Sequence, residues 1–186
     1  DNSNSIILSS DINLNYNNYL KPRLKIIHYQ ELARSKEIIN EDSNSISFNY
    51  NNQFSDNRLF GNDLLDNSSR VVYGFENYNR IYGQNFNFKI NQSYDFKKNN
   101  NFSNKINQNS NFSDYALEMS TSINYIDFRF DIRVDENSYS RKEMNYNFNI
   151  EKQINLNVNY HETKKNAYKN SSNDTKSLNL LVSKKI

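Results

Sequence analysis

Residues 143–160 read EMNYNFNIEKQINLNVNY, in which asparagine alternates with apolar residues at period two. The asparagines stand at positions 145, 147, 149, 155, 157 and 159, and Tyr, Phe, Ile, Leu or Val fills the positions between them. Asparagine is a poor strand former, but such alternation is typical of a strand with one apolar and one hydrated face. A one-residue slip in register would exchange the two faces. The stretch therefore predicts two antiparallel strands, at about 141–151 and 153–163.

The bulk composition argues for an ordered chain in spite of its polarity. The 186 residues have a mean hydropathy of −0.97 and are only 35% hydrophobic, values typical of Asn-rich disordered segments. Aromatic residues, however, make up 14%, and one proline and three glycines are few for a linker. A net charge of +2 predicts no field for a polyanion, and no nucleic-acid partner is expected. No apolar run is long enough for a transmembrane helix.

Period-two alternation recurs along the whole chain and predicts an all-β protein. Nine segments qualify, at about 4–16, 20–29, 70–79, 83–97, 113–124, 128–134, 141–151, 153–163 and 176–185. The sixth segment alternates most regularly, with charged residues at positions 129, 131 and 133. Helical spacing fits only residues 29–41, for which we predict a short helix or an ordered turn.

The predicted connections alternate in length. Those near 17–19, 80–82, 125–126 and 151–152 are very short, whereas those at 30–69, 98–112, 137–140 and 164–175 are mostly long and polar. An up-and-down sheet then has tight turns at one rim and loops at the other, as outer-membrane barrels have. A soluble antiparallel sandwich is the alternative, but it usually has more glycine and proline in its turns. We interpret the pattern as an antiparallel up-and-down transmembrane β-barrel, with apolar residues facing lipid and asparagines facing a hydrated lumen.

The strand count predicts that residues 1–186 form a single, partial barrel domain. Bacterial single-chain barrels close with an even number of strands, and nine is odd. The final stretch, LNLLVSKKI, has two lysines near its end and lacks the terminal aromatic residue expected of such barrels. We therefore expect the chain to be a fragment of a larger barrel, truncated at both ends.

The connection between the second and third segments carries a series of short motifs. Leu20 and Pro22 are followed by Asn40-Glu41-Asp42-Ser43, then by Phe54, Asn57-Arg58, Gly61, Asp63, Arg70-Val71 and Tyr73-Gly74. In this order they resemble the LptD family of outer-membrane lipopolysaccharide-assembly proteins, also called organic solvent tolerance proteins. The similarity extends over about residues 19–165. Leu64 stands where that family has an arginine after the aspartate, so other contacts are expected to order this loop.

The resemblance implies a function and a set of partners. A member of this family is expected in the outer membrane of a Gram-negative bacterium, surrounded by outer-membrane lipid, where it assembles lipopolysaccharide (LPS) into the outer leaflet. The implied protein partners are an LptE-like plug lipoprotein inside the barrel and a periplasmic LPS-bridge protein, which docks through a domain outside this stretch. Neither enzymatic activity nor a cofactor is implied. The alternatives are a porin-like outer-membrane channel and a soluble β-rich surface or adhesion domain.

Two groups of residues are candidate functional sites. The first is a signature loop with a structural role or a role towards the plug or the LPS path: Asn57, Arg58, Gly61, Asp63, Arg70 and Gly74. In it, Arg58 and Asp63 are predicted to brace a loop that folds towards the lumen, and Gly61 to supply its turn. The second is a set of lumen-facing charges that pair across strands or contact the plug or the glycolipid: Arg23, Lys25, Lys89, Arg129, Asp131 and Arg133. No catalytic or metal site is predicted, since the chain has two histidines and no cysteine.

Overall fold

The chain folds into one antiparallel sheet. The computed structural model describes residues 5–14, 19–31, 48–59, 66–96, 102, 106–108, 110–169 and 171–184. Within these residues, nine strands pair with their neighbours in chain order, accompanied by one short helix, and the sheet is open. The strands are β1 (Ser5–Asn13), β2 (Leu20–Glu31), β3 (Arg70–Ile81), β4 (Gln84–Asp95), β5 (Tyr115–Ile123), β6 (Ile126–Val134), β7 (Arg141–Glu151), β8 (Ile154–Thr163) and β9 (Thr175–Lys184), and the helix α1 is Tyr50–Gln53.

The predicted all-β fold and its nine strands are confirmed, with ends that differ by a few residues. Of the helix or turn predicted at 29–41, residues 29–31 belong instead to β2, and the rest lies outside the described residues. Periodicity does not predict α1, because one turn is too short to show a 3.6-residue repeat. This turn begins at Asn49, whose side chain accepts a hydrogen bond from the amide of Asn52 at 2.9 Å. No helix among the described residues is long and apolar enough to cross a membrane.

The connections follow the predicted alternation in length. Two-residue turns at 82–83, 124–125 and 152–153 join strands at one end of the sheet, which we call the short-turn rim. Tyr82 and Gly83 have φ angles of 49° and 80°, the backbone that a tight hairpin turn needs. The opposite end, the long-loop rim, carries the connections 32–69, 96–114, 135–140 and 164–174.

The register separates the strand residues into two faces, because cross-strand partners point to the same side. One row on the first face is, from β6 to β9, Phe128, Phe148, Val158 and Leu180. A neighbouring row on the second face is Arg129, Asn147, Asn159 and Asn179. We call these the apolar face and the polar face. Large side chains on the apolar face stay exposed, such as Leu8 at 61% and Leu178 at 67%.

Buried hydrophobic residues gather mainly under the long loops, on the polar face. One cluster joins β2 and β3 to the segment around α1 and consists of Ile27, Tyr50, Phe54 and Val72. A second cluster consists of Phe48, Leu59, Phe102, Ile106 and Ala116. The loops thus build a small core of their own against the sheet, and this core positions the polar side chains of the candidate site.

Candidate functional site

The connection between β2 and β3 folds onto the polar face of the sheet. Helix α1 lies against β4 and β5, and Asn91 of β4 donates from Nδ2 to the carbonyl oxygen of Tyr50 at 2.7 Å. Lys25 of β2 donates from Nζ to the carbonyl oxygen of Phe54 at 2.8 Å. Residues 48–59 are therefore held over the polar face of β2–β5, near the long-loop rim.

Two arginines and two aspartates form a buried ion cluster beneath this loop, made of Arg58, Asp66, Arg70 and Asp95. Arg58 donates from Nε to Oδ2 of Asp66 at 2.5 Å, and Nη1 of Arg70 lies 2.9 Å from the same oxygen. Oδ1 of Asp95 lies 3.6 Å from Nη2 of Arg58. None of the four side chains is exposed. Buried charges of this kind are tolerated only when they are paired and hydrogen-bonded, and here two positive charges face two negative ones.

A hydroxyl group and an aromatic ring complete the surroundings of the two arginines. Oγ of Ser68 accepts hydrogen bonds from Arg70 at 2.6 Å and from Arg58 at 3.0 Å. The ring centroid of Phe102 lies 4.1 Å from Cζ of Arg58, a cation–π contact. Burial acts to raise the pKa of Asp66, but the charges of Arg58 and Arg70 outweigh it and lower the pKa below its ordinary value. Asp66 therefore stays ionised and ties the loop to the first residue of β3.

Asn57 connects the two sides of the signature loop. Its Oδ1 accepts hydrogen bonds from two loop amides, one of them that of Asp66 at 3.0 Å. Gly61 and Asp63 lie outside the described residues, so the turn at Gly61 and the Arg58–Asp63 brace stay predictions. Among the described residues, the carboxylate that hydrogen-bonds to Arg58 is that of Asp66.

Gly74 permits a close approach between β3 and β4. Its register partner is Asn91, and a Cβ atom at Gly74 would lie 2.7 Å from Cβ of Asn91 and still closer to the carbonyl oxygen of Ile90. Real Cβ atoms essentially never come so near to other heavy atoms. The missing side chain therefore leaves the space in which Asn91 reaches the backbone of α1.

A second buried ion cluster lies at the long-loop rim of β6 and β7. Arg133 donates from Nε to Oδ2 of Asp114 at 2.5 Å, and Nζ of Lys142 lies 2.8 Å from both Asp114 and Asp135. Carboxylate oxygens of Asp114, Asp135 and Glu136 lie within 4.8 Å of one another. Because the ammonium group of Lys142 already pairs with two of these carboxylates, we assign the arrangement as an ion-pair cluster.

Two phenylalanine rings connect the clusters. Phe48 and Phe102 stack with their centroids 6.2 Å apart. The Phe102 ring faces Arg58, and the centroid of Phe48 lies 4.6 Å from Cζ of Arg133. The arginines of both clusters are thus held against one aromatic pair, so the loops after β2 and β4 and the end of β6 pack as a unit.

The six charges predicted to face a lumen all lie on the polar face, and each is ion-paired. The pairs and their N–O distances are Arg23–Asp11 at 2.6 Å, Lys25–Asp56 at 2.8 Å, Lys89–Glu118 at 3.0 Å, Arg129–Glu118 at 2.9 Å, Arg129–Asp131 at 3.0 Å and Arg133–Asp114 at 2.5 Å. Lys89, Glu118, Arg129 and Asp131 form a continuous chain across β4, β5 and β6. Lys25 and Arg133 are buried beneath the loops, whereas the pairing of the other four is the arrangement expected of a hydrated wall whose charges stabilise one another.

Sequence reasoning missed the remaining members of the two clusters, namely Asp66, Asp95, Asp114, Asp135, Glu136 and Lys142. The place of Asp95 on the polar face could be predicted from the sequence, because Asp95 continues the polar parity of β4. The place of Lys142 could not be predicted in this way, because period two assigns Lys142 to the apolar face. The register between β6 and β7 shifts beside Val134, and Lys142 is the residue left over in this β-bulge. The bulge turns its side chain to Asp114.

Comparisons with known proteins bear on this arrangement. A protein-family model described as LptD, LPS transport system D, matches residues 4–185. The match includes all nine strands and both ion clusters. None of the curated proteins matches the chain.

Proposed function

This chain belongs to the LptD family, LPS transport system D, and we propose that it forms part of the wall of an outer-membrane β-barrel that assembles LPS into the outer leaflet. The family is one of transport and assembly proteins, and the proposed role is translocation without chemical conversion. The chain would supply nine consecutive strands of a larger closed barrel in the envelope of a Gram-negative bacterium.

The observation that carries the proposal is the chemical difference between the two faces. The apolar face presents rows of Phe, Ile, Leu, Val and Tyr that remain exposed across the sheet. In water such a surface would favour aggregation, whereas in a bilayer an apolar surface is what contact with lipid requires. The polar face carries amides and paired charges, which suit a water-filled interior.

The polar face supports a division of the proposed lumen into two parts. Over β2–β5 it is covered by the chain's own loop, residues 48–59, which the buried ion clusters hold in place. Over β7 and β8 it presents rows of asparagine, with Asn147 paired to Asn159 and Asn149 to Asn157. We assign the amide rows to contact with an LptE-like plug lipoprotein or with the saccharide of LPS. The covering loop would help to seat that plug or to narrow the glycolipid path.

The asymmetry of the two rims supports an orientation. Outer-membrane barrels have short periplasmic turns and longer extracellular loops. The long-loop rim is therefore assigned to the cell exterior and the short-turn rim to the periplasm. A periplasmic LPS-bridge protein would deliver its cargo from the short-turn side, through a domain outside this chain.

Depletion of the intact protein in its own cells tests the function. We expect newly made LPS to stop reaching the cell surface, measured by surface labelling, while uptake of a small hydrophilic solute stays unchanged. A porin-like channel predicts the reverse, namely slower solute uptake with normal LPS delivery. Recovery of the protein in the soluble fraction would contradict the membrane location altogether.

A further inference from the structure

The long-loop rim of the apolar face changes chemistry along the sheet. Over β4 and β5 it is aromatic, with the ring centroids of Tyr94 and Phe112 lying 4.8 Å apart. Tyr115 stacks with Tyr139 of the β6–β7 connection at 6.2 Å. Aromatic girdles of this kind mark the level at which a barrel leaves the hydrocarbon region. This belt therefore gives the height of the bilayer interface on the chain.

Charged residues replace the aromatic rings at the long-loop ends of β7, β8 and β9. Tyr115 is the register partner of Val134, which is in turn the partner of Arg141. Glu162 of β8 pairs with Met144 of β7 and with Lys176 of β9, in the next row of the apolar face towards the short-turn rim. Charged side chains thus stand in this row and the next, close to the interface level that the aromatic rings mark.

Glu162 holds two cations side by side. Its Oε1 lies 3.0 Å from Nη2 of Arg141 and 2.9 Å from Nζ of Lys164. The Glu162 side chain is only 5% exposed, whereas Arg141 and Lys164 remain 40% and 32% exposed. The buried carboxylate therefore positions two cations whose outer surfaces stay open to a ligand.

Positive charge exceeds negative charge at this place. The cations are Arg141, Lys164, Lys165 and Lys176, and the carboxylates are Glu162 and Asp174. Directly below, towards the short-turn rim, the apolar face presents Tyr160 and Leu178 and then Val158 and Leu180. Leu178 and Leu180 are more than 60% exposed. A basic patch above an apolar stripe fits an amphiphile with anionic phosphates at one end and acyl chains at the other.

We propose that Arg141, Lys164 and Lys176 form a binding site for the phosphate groups of an outer-leaflet glycolipid, which stands against the outside of the sheet as a resident lipid. The proposal rests on the proposed function for the membrane and its orientation. The site lies on the face opposite to the amide rows and the covering loop. It therefore binds lipid already in the leaflet, separately from the material that passes along the polar face.

The test compares lipid retention by the purified intact protein in nanodiscs, using native mass spectrometry. The probes are bisphosphorylated lipid A and the same lipid without phosphates. We expect Arg141→Gln combined with Lys164→Gln to reduce retention of the phosphorylated probe roughly tenfold, since charge-assisted bonds to phosphate are lost. Retention of the dephosphorylated probe stays unchanged.

The matched control removes two cations from the other ends of the same strands, Lys152→Gln combined with Lys184→Gln, and leaves retention of both probes unchanged. Lys176→Gln, with its exposed side chain, gives a second reading if the double variant fails to assemble, and a smaller loss is expected. Equal retention by the site variants and the wild type overturns the proposal, as does an equal loss in the control. These readouts are independent of LPS delivery to the surface, so failure of the function and failure of this site are told apart.

Discussion

Arg58 and Asp66 form a hydrogen-bonded ion pair of 2.5 Å from which solvent is excluded on both sides. The pair joins two segments of the connection between β2 and β3, residues 48–59 and 66–69, and Arg70 shares the same carboxylate. A solvent-exposed ion pair contributes little to stability. Once buried, it makes the loop intolerant of the loss of one partner, because the other is left as an uncompensated charge.

Removal of either partner is therefore expected to release the loop. Arg58→Ala and Asp66→Ala should each destabilise its packing by about 3–5 kcal/mol. The double variant leaves Arg70 balanced by Asp95 and should cost less than the sum of the singles. The measurement is limited proteolysis of the loop in the intact protein, together with entry of bulky hydrophobic antibiotics into cells.

Two further variants sharpen this experiment. Arg80→Ala is the control, because Arg80 is exposed and lies beside the short turn. Asp63→Ala, measured beside Asp66→Ala, tells whether the carboxylate predicted from the sequence also braces Arg58. Strict additivity of the Arg58 and Asp66 variants would contradict a direct pair, and normal protease resistance in all variants would make the loop a passive cap.

Substitution of Gly74 tests the close approach of β3 and β4. A Cβ atom there would meet backbone and side-chain atoms of the next strand, so Gly74→Ala should destabilise the pairing by about 1–3 kcal/mol. Gly83→Ala is the matched control, because nothing lies within 4 Å of its Cβ position and only the positive φ of 80° adds strain. Thermal unfolding of the detergent-solubilised protein measures both. A larger loss for Gly83→Ala than for Gly74→Ala would refute the packing argument.

The sequence predicts the strands well because period two is a local signal that each segment carries by itself. Phe130 and Asn147 are placed on their faces by parity alone, and the register agrees. What parity cannot predict is where it breaks. The bulge at Lys142 depends on the buried carboxylate of Asp114, which lies far away in sequence. Nothing in the sequence around Lys142 or Asp114 identifies the other residue as its partner.

In the signature loop, too, the sequence indicates an important residue but not its partners. Its motifs mark Arg58 as a residue with a specific role, and the structure places it in a buried cluster. The motifs do not identify its partners, because Asp63 and Asp66 stand three residues apart in one loop and either spacing is sterically open. Asp95 is contributed by a different strand, so only the tertiary fold brings it to 3.6 Å from Arg58.

The difference between the faces predicts opposite outcomes for arginine at neighbouring positions. Arginine at Phe148 would face lipid and should impair assembly, at a cost of about 2–4 kcal/mol near the bilayer midplane. Asn149→Arg is the better polar-face control, because the register partner of Asn149 is Asp127. At Asn147 the partner is Arg129, so a second arginine there would meet a like charge. Equal amounts of assembled protein for Phe148→Arg and Asn149→Arg would argue against a lipid-facing surface.

The raised pKa of Glu136 predicts that Glu136→Gln stabilises the 135–140 connection at high pH. Burial and a hydrogen bond with Asp114 raise this pKa, so Glu136 stabilises the fold below its ordinary pKa and loses that contribution as pH rises through the raised value. Glu136→Gln keeps the neutral form at every pH. It should therefore slow hydrogen exchange in the 135–140 connection at pH 8, relative to wild type, and make little difference at pH 4.

Asp135→Asn is the control of opposite sign. Partial burial acts to raise the pKa of Asp135, but Lys142 and the donors of Ser138 and Asn137 lower it below its ordinary value. This carboxylate stabilises the connection above its ordinary pKa, and the stability is lost as pH falls through the lowered value. Asp135→Asn should speed exchange at pH 8. The same direction of change for both variants would contradict the assigned pKa shifts.

The orientation of the rims predicts which inserted tags an antibody reaches on intact cells. An epitope between Ser172 and Asn173 lies in an exposed part of the long-loop rim and should be labelled without permeabilisation. An epitope after Lys152, in the short turn, should be labelled only after permeabilisation. An epitope at Asn107 would be a poorer test of this rim, because the preceding Ile106 is buried and its carbonyl oxygen accepts a hydrogen bond from Arg133. If only the short-turn epitope is labelled on intact cells, the orientation is the reverse of the one proposed, with the short-turn rim outside.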